Sequence, residues 1–162
     1  MTCFGNGQTL NGGTPSGACD PVNFWAYRNA NQAISTGVEA LVDWNNKLVT
    51  ENPAGFMDLA TNIATIPSNG TYVLSSSIEM VVAAAGSGYL RWYLNGSYRG
   101  AQTVYSDIAN TIVLNFAATR YLFAADTIEM RVFQNTGFAA SLIGCCNQLF
   151  FSCSSICLSD LP

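Results

Sequence analysis

From Asn23 onward the chain alternates large apolar side chains with small polar ones at a period of two. In "GTYVLSSSIEMVV", Tyr72, Leu74, Ile78, Met80 and Val82 fall on one face, the spacing that sends alternate side chains to one side of a pleated strand and would scatter them around a helix. The same period recurs in Leu90, Trp92 and Leu94, opposite Tyr89, Arg91 and Tyr93, and then in Ile112, Leu114 and Phe116. It returns in Ile128, Met130 and Val132, and finally in Leu149, Phe151 and Cys153. Two earlier stretches read the same way: the aromatic-rich "NFWAYR" (residues 23–28), and "VEALVDW", which places Val38, Ala40, Val42 and Trp44 on one face.

Asn95-Gly96 supplies the positive φ angles of a tight hairpin. "TENPAGFMDLATN" reads as a loop leading into a strand near Ala60, and Ala83 to Gly88 as the loop before Tyr89. About eight to ten strands are predicted, the number expected of an antiparallel sandwich or jelly roll. The fold class is therefore all-β.

Residues 1–23 show no apolar period and are rich in Gly, Asn and Thr. Such a segment becomes ordered only when something ties it down. It is expected to be an extended docking arm, with Thr2, Cys3, Phe4, Leu10 and Cys19 as candidate contacts, lying against a neighbouring chain or a larger assembly. The alternative is that Cys3 and Cys19 pin it to its own domain. Residues 24–162 then form the jelly-roll domain, and 162 residues are too few for two ordinary domains.

Composition changes this picture in one respect. Apolar types make up 49% of the chain and charged types 10%, against about 25% charged in an average soluble domain. Something other than charge must cover much of the surface, and an interface between copies of the chain does so. The six basic residues are scattered in a chain of net charge −4, so the basic stripe needed for phosphate backbones is missing and nucleic-acid binding is not expected. No apolar run approaches the roughly 18 residues of a membrane span. The first twenty residues lack a basic start and an apolar h-region, so neither membrane insertion nor signal-peptide export is indicated.

The order of landmarks resembles the complement component 1q globular head and the related tumour necrosis factor-like jelly rolls. The matching stretches are "FWAYRN", "VDWNN" (Val42 to Asn46), "IPSNGTYVL", "LNG" (Leu94 to Gly96) and "LFAADTI" (Leu122 to Ile128), within about residues 24–158. Ala125 stands where the family prefers Gly, and no collagen-like tract precedes the head. The resemblance implies a homotrimer. Relatives of this head also occur as knobs and decorations on viral capsids and fibres, where a short arm commonly replaces the collagen stalk.

Candidate chemistry is sparse. With no histidine, neither a Ser-His-Asp or Cys-His nucleophile nor a His-bearing metal site can be built. Glu39 with Asp43, or Asp126 with Glu129, are the carboxylate pairs a glycosidase would need. The first pair sits at alternating outward positions of one predicted strand, and Asp126 reads as a turn residue. No catalytic site, metal or cofactor is expected, and Asp107 and Asp126 read as turn formers. Cys3, Cys19, Cys145, Cys146, Cys153 and Cys157 are candidate disulfide cysteines, with small buried thiols as the alternative and zinc ranked last. Tyr89, Arg91 and Tyr93 have the composition of an interface and are the candidate trimer contact.

The expected function is non-enzymatic: a trimeric capsid decoration or head-fibre knob on the outer surface of a virion, assembled in the host cytoplasm. Its expected partners are itself and the major capsid protein or another virion protein. The alternative is a complement-head-like module that grips a host surface glycan or receptor.

Overall fold

The computed structural model describes residues 23–47, 53–144 and 150–156. The described chain is all strand and loop. Along the chain come β1 (Asn23–Tyr27), β2 (Gln32–Ile34), β3 (Ala40–Leu41), β4 (Asn46–Lys47), β5 (Met57–Asp58) and β6 (Ile63–Thr65). Longer strands follow: β7 (Gly70–Val82), β8 (Gly86–Leu94), β9 (Ser97–Ser106), β10 (Asn110–Leu122) and β11 (Thr127–Gln134), then β12 (Ala140–Leu142) and β13 (Phe150–Ile156). The count exceeds the expected eight to ten because several strands hold only two or three residues, too few to leave a readable period.

Two antiparallel sheets face each other. In the seven-stranded sheet β7 is central, with β10 along one side and β13 and β12 end to end along the other, and β1 and β4 continue beyond β13. In the six-stranded sheet β11 is central, with β8 and then β9 on one side and β6 and β3 end to end on the other.

Most of the predicted inward residues are buried between the layers, Leu94 and Phe116 are partly buried against them, and Leu149 lies outside the described residues. Tyr72, Leu74, Ile78, Met80 and Val82 meet Leu90, Trp92, Ile128, Met130 and Val132 there, with Ile112, Leu114, Phe151 and Cys153. At one end Phe24 stacks edge-on to both Phe56 and Phe151, with ring centroids 4.7 and 4.8 Å apart. Tyr72 lies in the same cluster and donates its hydroxyl to the Ser68 carbonyl at 2.8 Å, which satisfies the polar tip of a buried ring.

The β8–β9 hairpin turns at Asn95 and Gly96, with φ of 52° and 69°, as Asn-Gly predicts. The Asn95 side chain donates to Asp126 Oδ1 at 2.7 Å and accepts from the Thr127 amide at 2.8 Å. Asp126 in turn accepts from the Phe123 amide through Oδ2 at 2.8 Å, while Asn69 accepts from the Ala124 amide. Three stretches far apart in sequence, "IPSNG", "LNG" and "LFAAD", are thus knotted together at one end of the sandwich. Asp126 is a turn keystone, as expected.

Ala125 takes a φ of 70° in that knot, a left-handed conformation that crowds a Cβ at a cost of about 1 kcal/mol. Ala125→Gly is therefore expected to stabilise the domain by about 0.5–1 kcal/mol, raising the thermal midpoint by about 1–4 °C for a chain of this size. A midpoint that stays put or falls in a thermal melt contradicts this.

Three boundaries differ from expectation. "VEALVDW" pairs as a strand only at Ala40–Leu41, and Val38 is 56% exposed while Val42 and Trp44 are buried. The backbone turns at Gly37 (φ 71°), whose amide donates to the Gln134 carbonyl. The strand predicted near Ala60 begins at Ile63, after a turn in which Asn62 has φ 59°. Only residues 83–85 of the predicted Ala83–Gly88 loop lie outside strand, because β8 starts at Gly86. Gly88 is a strand residue of close approach: a Cβ there would run into Ile112 and Met80 of the core.

Candidate functional site

Tyr89, Arg91 and Tyr93 do project together from the outward face of β8. Strand register sets Arg91 directly beside Arg131, with Tyr89 beside Phe133 and Tyr93 beside Glu129. Two like charges opposite each other are unfavourable, and Glu39, from the loop between β2 and β3, answers them. Its Oε1 lies 3.0 Å from Arg91 and its Oε2 3.6 Å from Arg131, and the Tyr93 hydroxyl donates to Oε2 at 2.8 Å. Arg131 also binds Glu129 at 2.7 Å and lies over the Tyr93 ring at 4.6 Å from its centroid. Arg91 lies over both Tyr89 and Phe133.

This packing shifts the titration of two members. Burial and the hydrogen bond to Glu39 raise the Tyr93 phenol above its usual value. Burial works to lower the Arg91 guanidinium, but the hydrogen bond and charge of Glu39 outweigh it and leave the group raised. Arg91 stays cationic and Tyr93 stays neutral near neutral pH. The polar groups of Arg91 and Tyr93 thus already have partners within their own chain, while Tyr89 contributes ring contacts.

The carboxylates pair differently from the sequence reading. Glu39 and Asp43 diverge into separate ion pairs, while Glu39 and Glu129 converge on Arg131. Asp43 accepts from the Arg28 guanidinium at 2.8 Å and from Asn62 at 3.2 Å. Its carboxyl is held below the ordinary value, chiefly by the Arg28 hydrogen bond, and so remains ionised. Arg28, nearly buried, also donates to the carbonyls of Asp43 and Asn31. It ties the end of β1 to two loops. The convergence of Glu39 and Glu129 follows only from the pairing of β3 with β11, which no local pattern reveals.

Cys153 lies in β13 as a free thiol, 1% exposed in the core, and burial raises its pKa far above the usual thiol value. It is a small apolar filler, the alternative reading of the candidate disulfide set. Cys3, Cys19, Cys145, Cys146 and Cys157 lie outside the described residues. So do Thr2, Phe4 and Leu10 of the docking arm.

Two features escaped the sequence reading. The first is the outward face of the seven-stranded sheet. Its register builds one row from Asn23, Ser154, Val73 and Thr119, and the next from Trp25, Ser152, Ser75 and Ala117. The face continues through Tyr27, Ser77 and Asn115, then Val113 beside Glu79 and Thr111 beside Val81. Among its described residues Glu79 alone is charged. Ser75 and Ser152 hydroxyls bond each other at 3.0 Å across the strands, keeping the middle row low and flat.

The second is a cleft of about 310 Å³ between the edge strands β9 and β10, lined by Trp92, Leu94, Arg99, Arg120, Tyr121 and Leu122. Of the six basic residues in the chain, Arg28, Arg91 and Arg131 are ion-paired and Lys47 donates to the Met57 carbonyl. Arg99 and Arg120 have no ion pair or hydrogen bond among the described residues.

No family model matches the chain, and no curated protein matches it in sequence. Solved structures do match. Eiger TNF from S. frugiperda is 16% identical, with a TM-score of 0.61 over 88% of this chain and 96% of that one. The globular domain of zebrafish complement 1qA is 13% identical, with a TM-score of 0.59 over 85% of this chain and 98% of that one. The chain therefore has the antiparallel jelly-roll fold of the tumour necrosis factor-like and complement 1q globular domains.

Proposed function

We propose that this chain is a non-enzymatic binding and structural module that works as a homotrimer and decorates the outer surface of a virion, as a capsid cement or head-fibre knob docked through residues 1–23. The observation that carries the self-association is the outward face of the seven-stranded sheet, four strands wide and bearing Glu79 as its sole described charge. Flat faces of Ser, Thr, Val and Ala allow backbones to come close. Stable association needs about 800 Å² from each partner, and this face carries Val81, Val113 and Tyr121 as exposed apolar side chains among its uncharged residues, surface that an interface covers. On the aromatic face around Arg91 the charged groups are paired internally, so the seven-stranded face is the better candidate for cover by another copy.

The non-enzymatic part rests on the four candidate carboxylates, Glu39, Asp43, Asp126 and Glu129, each held by an arginine or by a turn amide. The virion part rests on the composition of the arm and on the resemblance to capsid knobs. A decoration stabilises a shell simply by binding its assembled state. Deleting residues 2–20 is expected to abolish attachment to particles in a co-sedimentation assay while leaving the oligomer intact. Undiminished attachment of the truncated chain contradicts the docking role.

A second reading, recognition of a receptor or glycan, is favoured by the cleft lined by Arg99 and Arg120, which have no ion pair among the described residues.

A further inference from the structure

The end of the sandwich opposite the polar knot of Asn69, Asn95 and Asp126 is built from four loops, residues 35–39, 83–85, 107–109 and 135–139. Strand register brings them to that end: Val82 closes β7 opposite Asn110, Gly86 opens β8 opposite Ser106, and Ala140 opens β12 opposite Ile34. The Gly37 amide donates to the Gln134 carbonyl at 2.8 Å and the Gly137 amide to Thr36 Oγ1 at 3.0 Å. Asn135 holds both backbone groups of Ser87, donating its amide to the carbonyl at 3.1 Å and accepting from the Ser87 amide through Oδ1 at 2.7 Å.

Three of these loops each expose one large apolar side chain, Val38 at 56%, Ile108 at 60% and Phe138 at 61%, and the fourth consists of Ala83, Ala84 and Ala85. The four loops contain no lysine or arginine. Of their two carboxylates, Glu39 is held by Arg91 and Arg131, which leaves Asp107.

The backbone beneath the apolar side chains is capped from inside. The Phe138 carbonyl accepts from Gln134 Nε2 at 2.7 Å and from Thr136 Oγ1 at 3.3 Å, and the Ile108 carbonyl accepts from the Ser106 hydroxyl at 2.8 Å. Gln134, Thr136 and Ser106 are all buried. A loop facing water needs no such caps, because water satisfies its carbonyls. A protein partner brings donors of its own, whereas hydrocarbon brings none, so a loop that lowers apolar side chains into lipid must satisfy its backbone internally.

We propose that this end of the domain docks on a lipid bilayer, with Val38, Ile108 and Phe138 entering the interfacial layer and the capped loop backbones resting at its surface. The contact is peripheral; among the described residues no helix is long and apolar enough to cross a membrane. With no cation in the loops, Asp107 exposed beside Ile108 and a net charge of −4, anionic headgroups are repelled and a zwitterionic surface fits. Docking here goes beyond the assembly proposed above and requires neither the trimer nor the virion.

The test is flotation of the full chain with phosphatidylcholine vesicles, compared with vesicles that also contain phosphatidylserine. The chain is expected to float with phosphatidylcholine equally at low and high salt, and no better with phosphatidylserine. Phe138→Ser should weaken partitioning about tenfold, and Phe138→Ser combined with Ile108→Ser should abolish it, both with unchanged thermal melts. Tyr98→Ser, which removes a comparably exposed ring beside the hairpin at the other end, should change nothing. No flotation with phosphatidylcholine, binding that needs phosphatidylserine and is lost in salt, full binding by the double variant, or an equal loss in Tyr98→Ser overturns the proposal. Light scattering on the same variants tests the other cover for this end: a mass that falls in Phe138→Ser makes it a contact between copies and overturns the lipid assignment.

Discussion

Trp44→Ala is expected to destabilise the domain by about 3–5 kcal/mol, a large share of the roughly 5–15 kcal/mol that holds a domain of this size together. Trp44 is fully buried, and its ring lies 6.2 Å from that of Phe151. It packs against the aromatic cluster through which β13 meets Phe24. Removing the indole leaves a cavity among rings that cannot close over it, so both the transfer energy and the packing are lost. Trp44→Phe separates volume from polarity. The indole nitrogen of Trp44 is buried without a hydrogen-bond partner among the described residues, a desolvation cost of about 1–3 kcal/mol that phenylalanine removes while keeping most of the ring. The phenylalanine variant should therefore stay within about 1.5 kcal/mol of the parent. Urea unfolding curves of the three proteins measure this. An alanine variant within 1 kcal/mol of the parent would contradict the place given to Trp44 in the core.

If the proposed trimer forms through this face, Ala117→Glu is expected to split it into monomers without melting the subunit. Ala117 sits in the middle row of the seven-stranded face beside Ser75, and it is exposed in the single chain. A glutamate there meets water in a monomer and costs little. In the trimer it would be buried without a counter-charge, at several kcal/mol for each copy. Three copies of that penalty exceed what such an interface supplies. Thr103→Glu, exposed on β9 beside Tyr89, is the matched control on the opposite sheet and should leave the trimer whole. If Thr103→Glu dissociates the assembly and Ala117→Glu does not, the contact lies on the Tyr89, Arg91 and Tyr93 face instead.

Much of the fold was legible because period-two burial is a local signal. Tyr72 to Val82 and Ile128 to Val132 declare their inward face wherever their partners come from. Asn95-Gly96 likewise carries its turn in its own backbone preference. What depends on partner supply was not legible. Val38 matches the alternation of Ala40 and Val42 yet faces solvent, because the free edge of β11 is divided between β6 and β3, leaving β3 two paired residues. Gly86 and Gly88 look like loop residues, and their strand role shows only when Met80 and Ile112 are seen beneath Gly88.

The candidate surfaces divide in the same way. The Tyr89, Arg91 and Tyr93 face could be read from alternation, but the capture of its arginines by Glu39 needed the register of β11 against β8. Arg99 and Arg120 stand twenty-one positions apart on different strands, and only the meeting of two sheet edges brings both to the lining of one cleft. The uncharged sheet face was foreseen as a shortage of charge in the whole chain, without its location.

The claim on which the rest depends is that this face is covered by copies of the same chain. Light scattering coupled to size exclusion, on the purified full chain at micromolar concentration, measures it directly. The account predicts a mass near three times the 17.3 kDa of one chain. A species that stays at the mass of one chain across the concentration range would contradict it.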